Sequence, residues 1–219
     1  MTRIAVVGGH GKVALLLARQ LGKDGHDVTS IVRNPDHIGD VEETGASAQV
    51  ADVEKLGVDE IADLLSGHDA VVWSAGAGGG DADRTFAVDR DAANRTVDAA
   101  EKANVRRFVM VSYLGAGQDH GVPKDNSFYA YAQAKADADD HVRASTLDWT
   151  IVGPGKLTLD DPSGKITVVD GTPEGDADTS RANVALVVAE VLADPSTAGS
   201  TIEFTDGDTP VAEAISAGQ

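Results

Sequence analysis

Short apolar runs alternate along this chain with longer segments of helical periodicity, and this alternation is the feature that most restricts the possible fold. Such an order is typical of repeated βα units around a parallel sheet. Within runs such as Val-Val-Trp and Phe-Val-Met-Val, apolar residues follow one another almost without interruption instead of alternating with polar residues. This is expected where helices cover both faces of the sheet. The predicted strands are Arg3–Val7, Asp27–Val32, Ala48–Val50, Ala70–Ser74, Arg107–Ser112, Trp149–Val152 and Thr201–Thr205. The predicted helices are Lys12–Leu21, Val58–Leu65, Asp89–Ala103, Ser127–Ser145 and Arg181–Leu192.

The regular pattern becomes looser after Val152, where a stretch rich in Gly, Pro and Asp precedes the last helix and strand. This tail is too short to bury a core of its own. We therefore predict an α/β fold, a Rossmann-type doubly wound parallel sheet with helices on both faces. Residues 1–219 would form one domain, in which residues 153–219 make a small lip on the substrate side.

Composition excludes several classes of function. The formal net charge of -18 would repel the phosphate backbone of a nucleic acid, so no nucleic-acid partner is expected. The chain has no cysteine, which removes disulfides, thiolate nucleophiles and cysteine zinc sites. A strand pattern starts at Arg3 where a signal peptide would have its apolar core, and no apolar run is long enough to span a bilayer. We expect a cytoplasmic protein with no membrane partner.

Small residues recur at a fixed spacing where the first strand leads into the first helix: Gly8, Gly11 and Ala14 follow the pattern G-x-x-G-x-x-A. A dinucleotide site needs such a loop, because the backbone must turn tightly and touch a pyrophosphate at the helix N-terminus. Gly9 adds slack to the loop. His10 and Lys12 are either donors near the phosphates or solvent-facing loop residues. The alternative for the whole loop is an ordinary tight βα turn.

The end of the second strand indicates which dinucleotide binds. An acidic residue there accepts from the ribose 2′-hydroxyl of NAD, whereas an arginine accommodates the 2′-phosphate of NADP. This chain has Arg33 followed by Asn34, which favours NADP(H) over NAD(H). Arg33 as a surface cation is the alternative. After the third strand, Asp52 and Val53 are placed to hold an adenine ring, although Asp52 is also a candidate helix cap.

Tyr131 and Lys135 are four residues apart on a helical pattern, so their side chains share one face. An ammonium beside a phenol would lower the tyrosine pKa and make Tyr131 a proton donor or acceptor at a carbonyl. The alternative is that Lys135 pairs with Asp139 while Tyr131 only packs. Ser112, at the end of the fifth predicted strand, is placed to steady the same substrate oxygen.

Other catalytic arrangements lack their signatures. None of the six histidines forms an H-x-x-x-H pair, and no G-x-S-x-G elbow occurs. We therefore predict no metal site and no serine hydrolase. The glycines of "AGAGGGDAD", among them Gly79 and Gly80, predict a flexible loop directly after a strand.

Taken together, the motifs of the chain resemble those of the atypical short-chain dehydrogenases/reductases, in the small NAD(P)H-binding branch with NmrA-like and biliverdin reductase B-like proteins. The resemblance covers nearly the whole length. It is carried by "VVGGHGKVA", "VRNPDH", "ADV", "VVWSAGAGGG", "VDRDAANRTVDAAEKANVRRFVMVS", "YAQAKADADDHVRASTLDWTIVGPGKL" and "SRANVALVVAEVL".

The resemblance implies a Rossmann-type domain with Tyr131 and Lys135 in the active-site positions of the family. Arg33 would contact the 2′-phosphate and Asp52 the adenine. The resemblance adds Ser74, Ala75 and Gly76 along the cofactor groove, and Pro154 and Gly155 at the edge of the nicotinamide. With Arg33 and Asp52, the full set of cofactor-binding candidates is then Gly8, Gly9, His10, Gly11, Lys12, Val13, Val53, Ser74, Ala75, Gly76, Ser112, Lys135, Pro154 and Gly155.

Two departures from the family pattern bear on turnover more than on binding. Tyr113 stands where relatives commonly have the second serine of V-S-S-L-G, which leaves Ser112 as the substitute. Gly153 stands where relatives have the arginine of Arg-Pro-Gly, which removes a charge near the nicotinamide.

These residues predict an NADPH-dependent oxidoreductase that acts on a small carbonyl or similar electrophile. One alternative is a binding module that senses the NADP(H) redox state through a partner, and another is a sugar-nucleotide epimerase or dehydratase. Because the chain has only nine aromatic residues, an aromatic cage for a large planar substrate is hard to assemble. We expect a modest substrate and a monomer or homodimer.

Overall fold

The computed structural model describes residues 1–78, 81–170 and 177–218. Its strands are β1 (Arg3–Val7), β2 (Asp27–Val32), β3 (Ser47–Val50), β4 (Ala70–Trp73), β5 (Arg107–Val111), β6 (Asp148–Pro154), β7 (Lys156–Thr158), β8 (Lys165–Val168), β9 (Asp178–Ser180), β10 (Ser200–Asp206) and β11 (Thr209–Pro210). Its α-helices are α1 (Lys12–Lys23), α2 (Ile38–Glu42), α3 (Val58–Leu65), α4 (Ala82–Thr85), α5 (Ala93–Lys102), α6 (Tyr129–Ala144), α7 (Arg181–Ala193) and α8 (Val211–Ala217).

Nine of these strands form one sheet in the order β11-β8-β10-β6-β5-β4-β1-β2-β3. The ladder from β3 to β10 is parallel throughout. The chain therefore winds outward in one direction from β1 to β3 and in the other from β4 to β6. This arrangement confirms the predicted Rossmann-type doubly wound sheet.

Helices bury apolar side chains on both faces of the sheet. On one face, Leu17 of α1 and Val187 of α7 belong to the same buried apolar cluster as Ile4 and Val6 of β1. On the other face, Ile61 of α3 and Val97 of α5 pack in the core that holds Trp73. Because successive strand residues point to opposite faces, strands buried on both sides read as the continuous apolar runs seen in the sequence.

The helix predicted from Asp89 begins earlier. Asp81 caps α4 by accepting from the backbone N–H of Arg84 at 2.7 Å, and the chain then continues through a π-helical segment, Phe86–Ala92, into α5. Such π-helical segments occur often at functional sites. The helix predicted from Ser127 begins two residues later, at Tyr129.

The segment after Val152 is more ordered than its composition indicates. Strands β8 and β11 extend the main sheet beyond β10, with β8 antiparallel to it, while β7 and β9 form a separate two-stranded sheet. The predicted lip over residues 153–219 also includes 171–176 and residue 219, which lie outside the described residues. In the described ranges, no helix has the length and apolar character needed to cross a membrane.

Candidate cofactor and catalytic site

A groove opens at the carboxyl ends of β1 and β4, where the winding direction of the sheet reverses. In open α/β sheets, ligands bind at this point. The groove has an outer cavity on the side of β2 and β3, and an inner cavity on the side of β5. The outer cavity is lined by Gly8, His10, Gly11, Val32, Arg33, Asn34, His37, Asp52, Glu54, Ser74, Ala75, Gly76, Arg84 and Val88. The inner cavity is lined by Gly11, Lys12, Val13, Ser74, Ala75, Gly76, Asp89, Val111, Ser112, Tyr131, Lys135, Leu157 and Arg181.

The glycine loop between β1 and α1 has no room for side chains at its first two positions. Gly8 has a φ of +83°, and a Cβ on it would lie 2.5 Å from the Cα of Ala75. A Cβ on Gly9 would overlap the Cβ of Ser30 on β2. Gly9 therefore packs closely against β2, which corrects the prediction that it adds slack.

The first turn of α1 faces the groove with its backbone donors free for an anion. Gly11 is the N-cap of this helix, and no side chain caps it. The first N–H groups of a helix have no partner within the helix, so those of Lys12 and Val13 need an external acceptor. Both residues line the inner cavity. The loop thus has the features that a pyrophosphate requires.

Arg33 lies in the outer cavity as predicted from the sequence, and it has a charged neighbour that the sequence did not indicate. Its Nη1 is 3.5 Å from Oε2 of Glu54. The same carboxylate oxygen is 3.7 Å from Nε of Arg84 on α4. One carboxylate therefore lies between two guanidinium groups at this end of the groove.

The loop after β3 is held from below by Arg95 of α5. Its guanidinium donates to the carbonyl oxygens of Val53, Glu54 and Leu56 at 3.0 to 3.2 Å. Asp52 lines the outer cavity and forms an ion pair with Lys55 at 3.0 Å. Val53 lies between two residues that line the outer cavity but is not itself one of the lining residues. Its carbonyl oxygen accepts a hydrogen bond from Arg95.

His10 lines the outer cavity. Its ring stacks on His37 with a centroid distance of 3.5 Å, and its Nε2 lies 2.7 Å from Oδ2 of Asp40. The two rings form part of the wall beside Arg33.

The loop after β4 is fastened to the following helix at Ala77. The Ala77 N–H donates to Oδ2 of Asp89 at 2.9 Å, and its carbonyl accepts from Nη1 of Arg84 at 2.5 Å. Burial raises the pKa of Asp89. Ser74, Ala75 and Gly76 line both cavities, as their predicted position requires. Gly79 and Gly80 of the predicted flexible loop lie outside the described residues.

Tyr131 and Lys135 both line the inner cavity, on the face of α6 that packs toward β5. Lys135 is only 1% exposed. Its Nζ donates to the carbonyl oxygen of Val111 at 2.8 Å and approaches Sδ of Met110 at 3.6 Å. The ammonium is thus fixed by the end of β5.

The predicted lowering of the Tyr131 pKa is wrong for this environment. Burial of the phenol and the charge of Asp89 raise the pKa of Tyr131 well above its usual range. The reason is that Lys135 lies on the correct helix face but directs its ammonium to the β5 backbone, while the negative charge of Asp89 disfavours the phenolate. Tyr131 is therefore a neutral phenol in this structure.

Ser112 lines the inner cavity and forms a hydrogen bond with a buried acid. Its Oγ is 2.5 Å from Oδ2 of Asp139, which is fully buried. Burial raises the pKa of Asp139, against the opposing influences of Lys135 and Ser112. Asp139 follows Lys135 by four residues, so Tyr131, Lys135 and Asp139 occupy one helix face. The sequence offered Asp139 as an alternative partner for Lys135, but in the structure Asp139 forms a hydrogen bond with Ser112.

An apolar cavity of about 460 Å³ adjoins the inner cavity beyond Tyr131. Its wall contains three clustered rings, those of Tyr113, Phe128 and Tyr131, with centroid distances of 5.3 to 5.5 Å. These three rings form one wall of a modest cavity, and the expectation that an aromatic cage for a large planar substrate is hard to assemble stays a prediction. The cavity is lined by Tyr113, Leu114, Phe128, Tyr131, Pro154, Gly155, Lys156, Leu157 and Ala177.

The two departures from the family pattern have structural counterparts. Tyr113 contributes its ring to the apolar cavity, and its hydroxyl is buried with no hydrogen-bond partner among the described residues. Gly153 pairs with Glu203 on β10, and a Cβ on it would lie 3.1 Å from the carbonyl oxygen of Tyr113. A larger residue at 153 would therefore require its neighbours to move.

Sequence reasoning missed four charged residues of the groove: Glu54, Arg84, Asp89 and Arg181. Arg181, the first residue of α7, holds the carbonyls of Leu157 and Thr158 and lines the inner cavity. Each missed residue lies within a helical or loop pattern that carries no signal of its own. Over residues 1–78, 81–170 and 177–218, no three His, Asp or Glu side chains cluster in a way that could hold a metal ion.

Comparisons with known proteins agree with this geometry. A family model described as NAD(P)H-binding matches residues 8–195. The UPF0659 protein YMR090W of Saccharomyces cerevisiae is 38% identical over 97% of both chains. A Bacillus subtilis protein named as the uncharacterized sugar epimerase YhfK is 33% identical over 97% of this chain and 98% of its own.

A similar solved structure has the same architecture over the whole chain. The putative NAD-dependent epimerase/dehydratase from Bacillus halodurans has a TM-score of 0.91 and 36% sequence identity. The match covers 99% of this chain and 100% of the other.

Proposed function

This chain belongs to the NAD(P)H-binding family, among the atypical short-chain dehydrogenases/reductases that its motifs resemble, and we propose that it is an NADPH-dependent oxidoreductase acting on a small carbonyl or similar electrophile. The observation that carries the proposal is the continuous groove from Arg33 to Tyr131. Along it, the uncapped N-terminus of α1 lies between an outer cavity lined by two arginines and an inner cavity lined by Tyr131.

The residues present fit a pyridine dinucleotide. The side-chain-free loop at Gly8 and Gly9 and the uncapped first turn of α1 suit the pyrophosphate. Asp52 is available to the adenine, and Arg33 to a 2′-phosphate. The preference for NADP(H) is supported by the charge of Arg33, which a bidentate phosphate contact would use.

When bound, the dinucleotide supplies or accepts a hydride at the nicotinamide C4. In reduction, the neutral Tyr131 hydroxyl donates a proton to the substrate oxygen. Lys135, one helical turn away, must leave the Val111 carbonyl to stabilise the phenolate that remains and to reach the nicotinamide ribose. Ser112 orients the substrate oxygen from the end of β5, and Pro154 and Gly155 form the edge of the nicotinamide site.

The substrate binds in the apolar cavity beside Tyr131. A volume of about 460 Å³ suits a modest molecule, and the wall of Tyr113, Phe128 and Leu157 favours an apolar body. The residues of the proposed site come from one chain, so a monomer suffices and a homodimer would carry two such sites. We place the activity in the cytoplasm, where an NADPH pool is available.

The test is NADPH consumption with a panel of aldehydes, quinones and flavins. We expect turnover with at least one of them and its loss in Tyr131→Phe. Tyr129→Phe is the matched control, because Tyr129 is two residues from Tyr131 and its hydroxyl contacts Gln133. Turnover that survives in Tyr131→Phe would remove Tyr131 from the mechanism.

A second candidate function, NADP(H) sensing without turnover, is favoured by the bond between Ser112 and Asp139. A hydroxyl that donates to a buried carboxylate is not free to donate to a substrate. The sensor predicts tight NADPH binding, no turnover with the whole panel, and the same affinity in Tyr131→Phe. One similar protein is named a sugar epimerase and another an epimerase/dehydratase, and these names indicate a third candidate, sugar-nucleotide epimerisation or dehydration. Its test is conversion of a sugar nucleotide without net NADPH consumption.

A further inference from the structure

Glu54 lies between two arginines that come from different elements of the fold. Its Oε2 is 3.5 Å from Nη1 of Arg33, which follows β2, and 3.7 Å from Nε of Arg84, which lies on α4. Neither contact has the short, paired geometry of a strong carboxylate–guanidinium bond. The Glu54 carboxylate therefore contacts both guanidinium groups at long distances and binds neither of them tightly.

We propose that the 2′-phosphate of NADP(H) exchanges with the Glu54 carboxylate between Arg33 and Arg84. Arg84 then becomes the second phosphate-binding arginine, and Glu54 determines how strongly NADP(H) is preferred over NAD(H). This inference rests on the proposed function, which brings the adenosine ribose to this end of the groove.

The charges of the cluster favour exchange. One carboxylate neutralises only one of the two guanidinium groups, whereas a phosphate monoester carries about -1.5 to -2 charges at neutral pH and three acceptor oxygens. The phosphate therefore satisfies both arginines better than Glu54 does. NAD(H) has only a hydroxyl at this position and leaves the carboxylate in place. Glu54 thus weakens the binding of NADP(H) alone.

The surrounding contacts restrict how the exchange occurs. Arg95 holds the backbone of Glu54, and the carbonyl of Ala77 holds one nitrogen of Arg84. The loops on both sides are therefore fixed, and the Glu54 side chain must rotate. The side chains of Arg33, Arg84 and Glu54 are 56%, 37% and 28% exposed, so all three have solvent into which to move.

The experiment is calorimetric titration of the full chain with NADPH, NADH, adenosine 2′,5′-bisphosphate and 5′-AMP. In Glu54→Gln we expect affinity for the two 2′-phosphorylated ligands to rise by about threefold to tenfold, with NADH and AMP unchanged within about twofold. In Arg84→Gln we expect affinity for the 2′-phosphorylated ligands to fall by about tenfold. Glu43→Gln removes the same charge from an exposed position and should leave the affinity for all four ligands unchanged.

Other results overturn the proposal in distinguishable ways. If Glu54→Gln weakens NADH and NADPH alike, Glu54 binds the ribose or the adenine and the exchange is wrong. If Arg84→Gln weakens all four ligands equally, Arg84 acts only through the loop at Ala77. If the parent protein binds neither dinucleotide, the proposed function itself fails. Binding by the parent with an unchanged preference in Glu54→Gln overturns the exchange alone.

Discussion

Ser112 Oγ lies 2.5 Å from Asp139 Oδ2, and both side chains are closed off from solvent at the end of β5. The second carboxyl oxygen of Asp139 is buried and has no hydrogen-bond partner among the described residues. The protonation of this pair decides what Ser112 can do. An ionised Asp139 accepts the Ser112 proton, whereas a neutral Asp139 donates to Ser112 and frees its hydroxyl to donate to a substrate.

Asp139→Asn should change the dependence of stability on pH. Burial raises the pKa of Asp139 in the folded protein, so this group favours folding below its unfolded pKa, and that contribution is lost as pH rises through the folded pKa. The variant lacks this loss. We expect its melting temperature, relative to the parent, to increase as pH rises above about 4, the ordinary pKa of an aspartate.

The matched control for that measurement is Asp140→Asn. Asp140 is the exposed neighbour on the same helix and contacts Arg143 and Gln118. Its difference from the parent should lack the increase with pH. An equal, pH-independent difference for both variants would show that burial of Asp139 has no linkage to folding.

Tyr131 should remain protonated throughout the neutral range. Because burial and Asp89 raise its pKa, the ultraviolet difference spectrum between parent and Tyr131→Phe should contain no phenolate band from about pH 6 to about pH 9. The rate of NADPH-dependent turnover should likewise show no limb from Tyr131 in this range. A phenolate band near neutrality would restore the low pKa that the helical spacing predicts.

Arg33→Ala should weaken NADPH binding by about 1–3 kcal/mol and leave NADH almost unchanged, since only NADPH offers a phosphate to a charge-assisted bond. Calorimetric titration with both cofactors measures this. Arg19→Ala removes an equal charge from the exposed side of α1 and is the control. Equal losses for both cofactors would contradict the assignment of NADP(H).

The sequence was sufficient for the seven parallel strands of the main sheet and for the loop at Gly8, but not for the short strands after Val152. Five-residue apolar runs and G-x-x-G-x-x-A are local patterns, and the chirality of βα units leaves few ways to arrange them. The same applies to the shared helix face of Tyr131 and Lys135. These predictions depend on residues that are close in sequence.

The charged contacts of the groove depend on residues that are far apart in sequence. Arg84 follows Glu54 by thirty residues, and they meet only because β4 lies beside β1 and α4 begins at the Asp81 cap. Helical spacing likewise gives the face of Lys135 but not its partner, which is a carbonyl on β5. The direction of the Tyr131 pKa shift was therefore beyond the reach of spacing alone.

Gly155→Ala should destabilise the edge of the apolar cavity. A Cβ on Gly155 would overlap the carbonyl oxygen of Ala177, which already accepts from the N–H of Lys156 at 2.7 Å. The pairing of β7 with β9 begins at this point, so alanine must push the two strands apart. We expect a loss of roughly 1–3 kcal/mol in the free energy of unfolding, measured with urea.

Gly39→Ala is the control: Gly39 lies in α2 with open space around it, and alanine there should stabilise by about 0.5–1 kcal/mol. Equal stability of Gly155→Ala and the parent would show that β7 and β9 are not held together at Ala177.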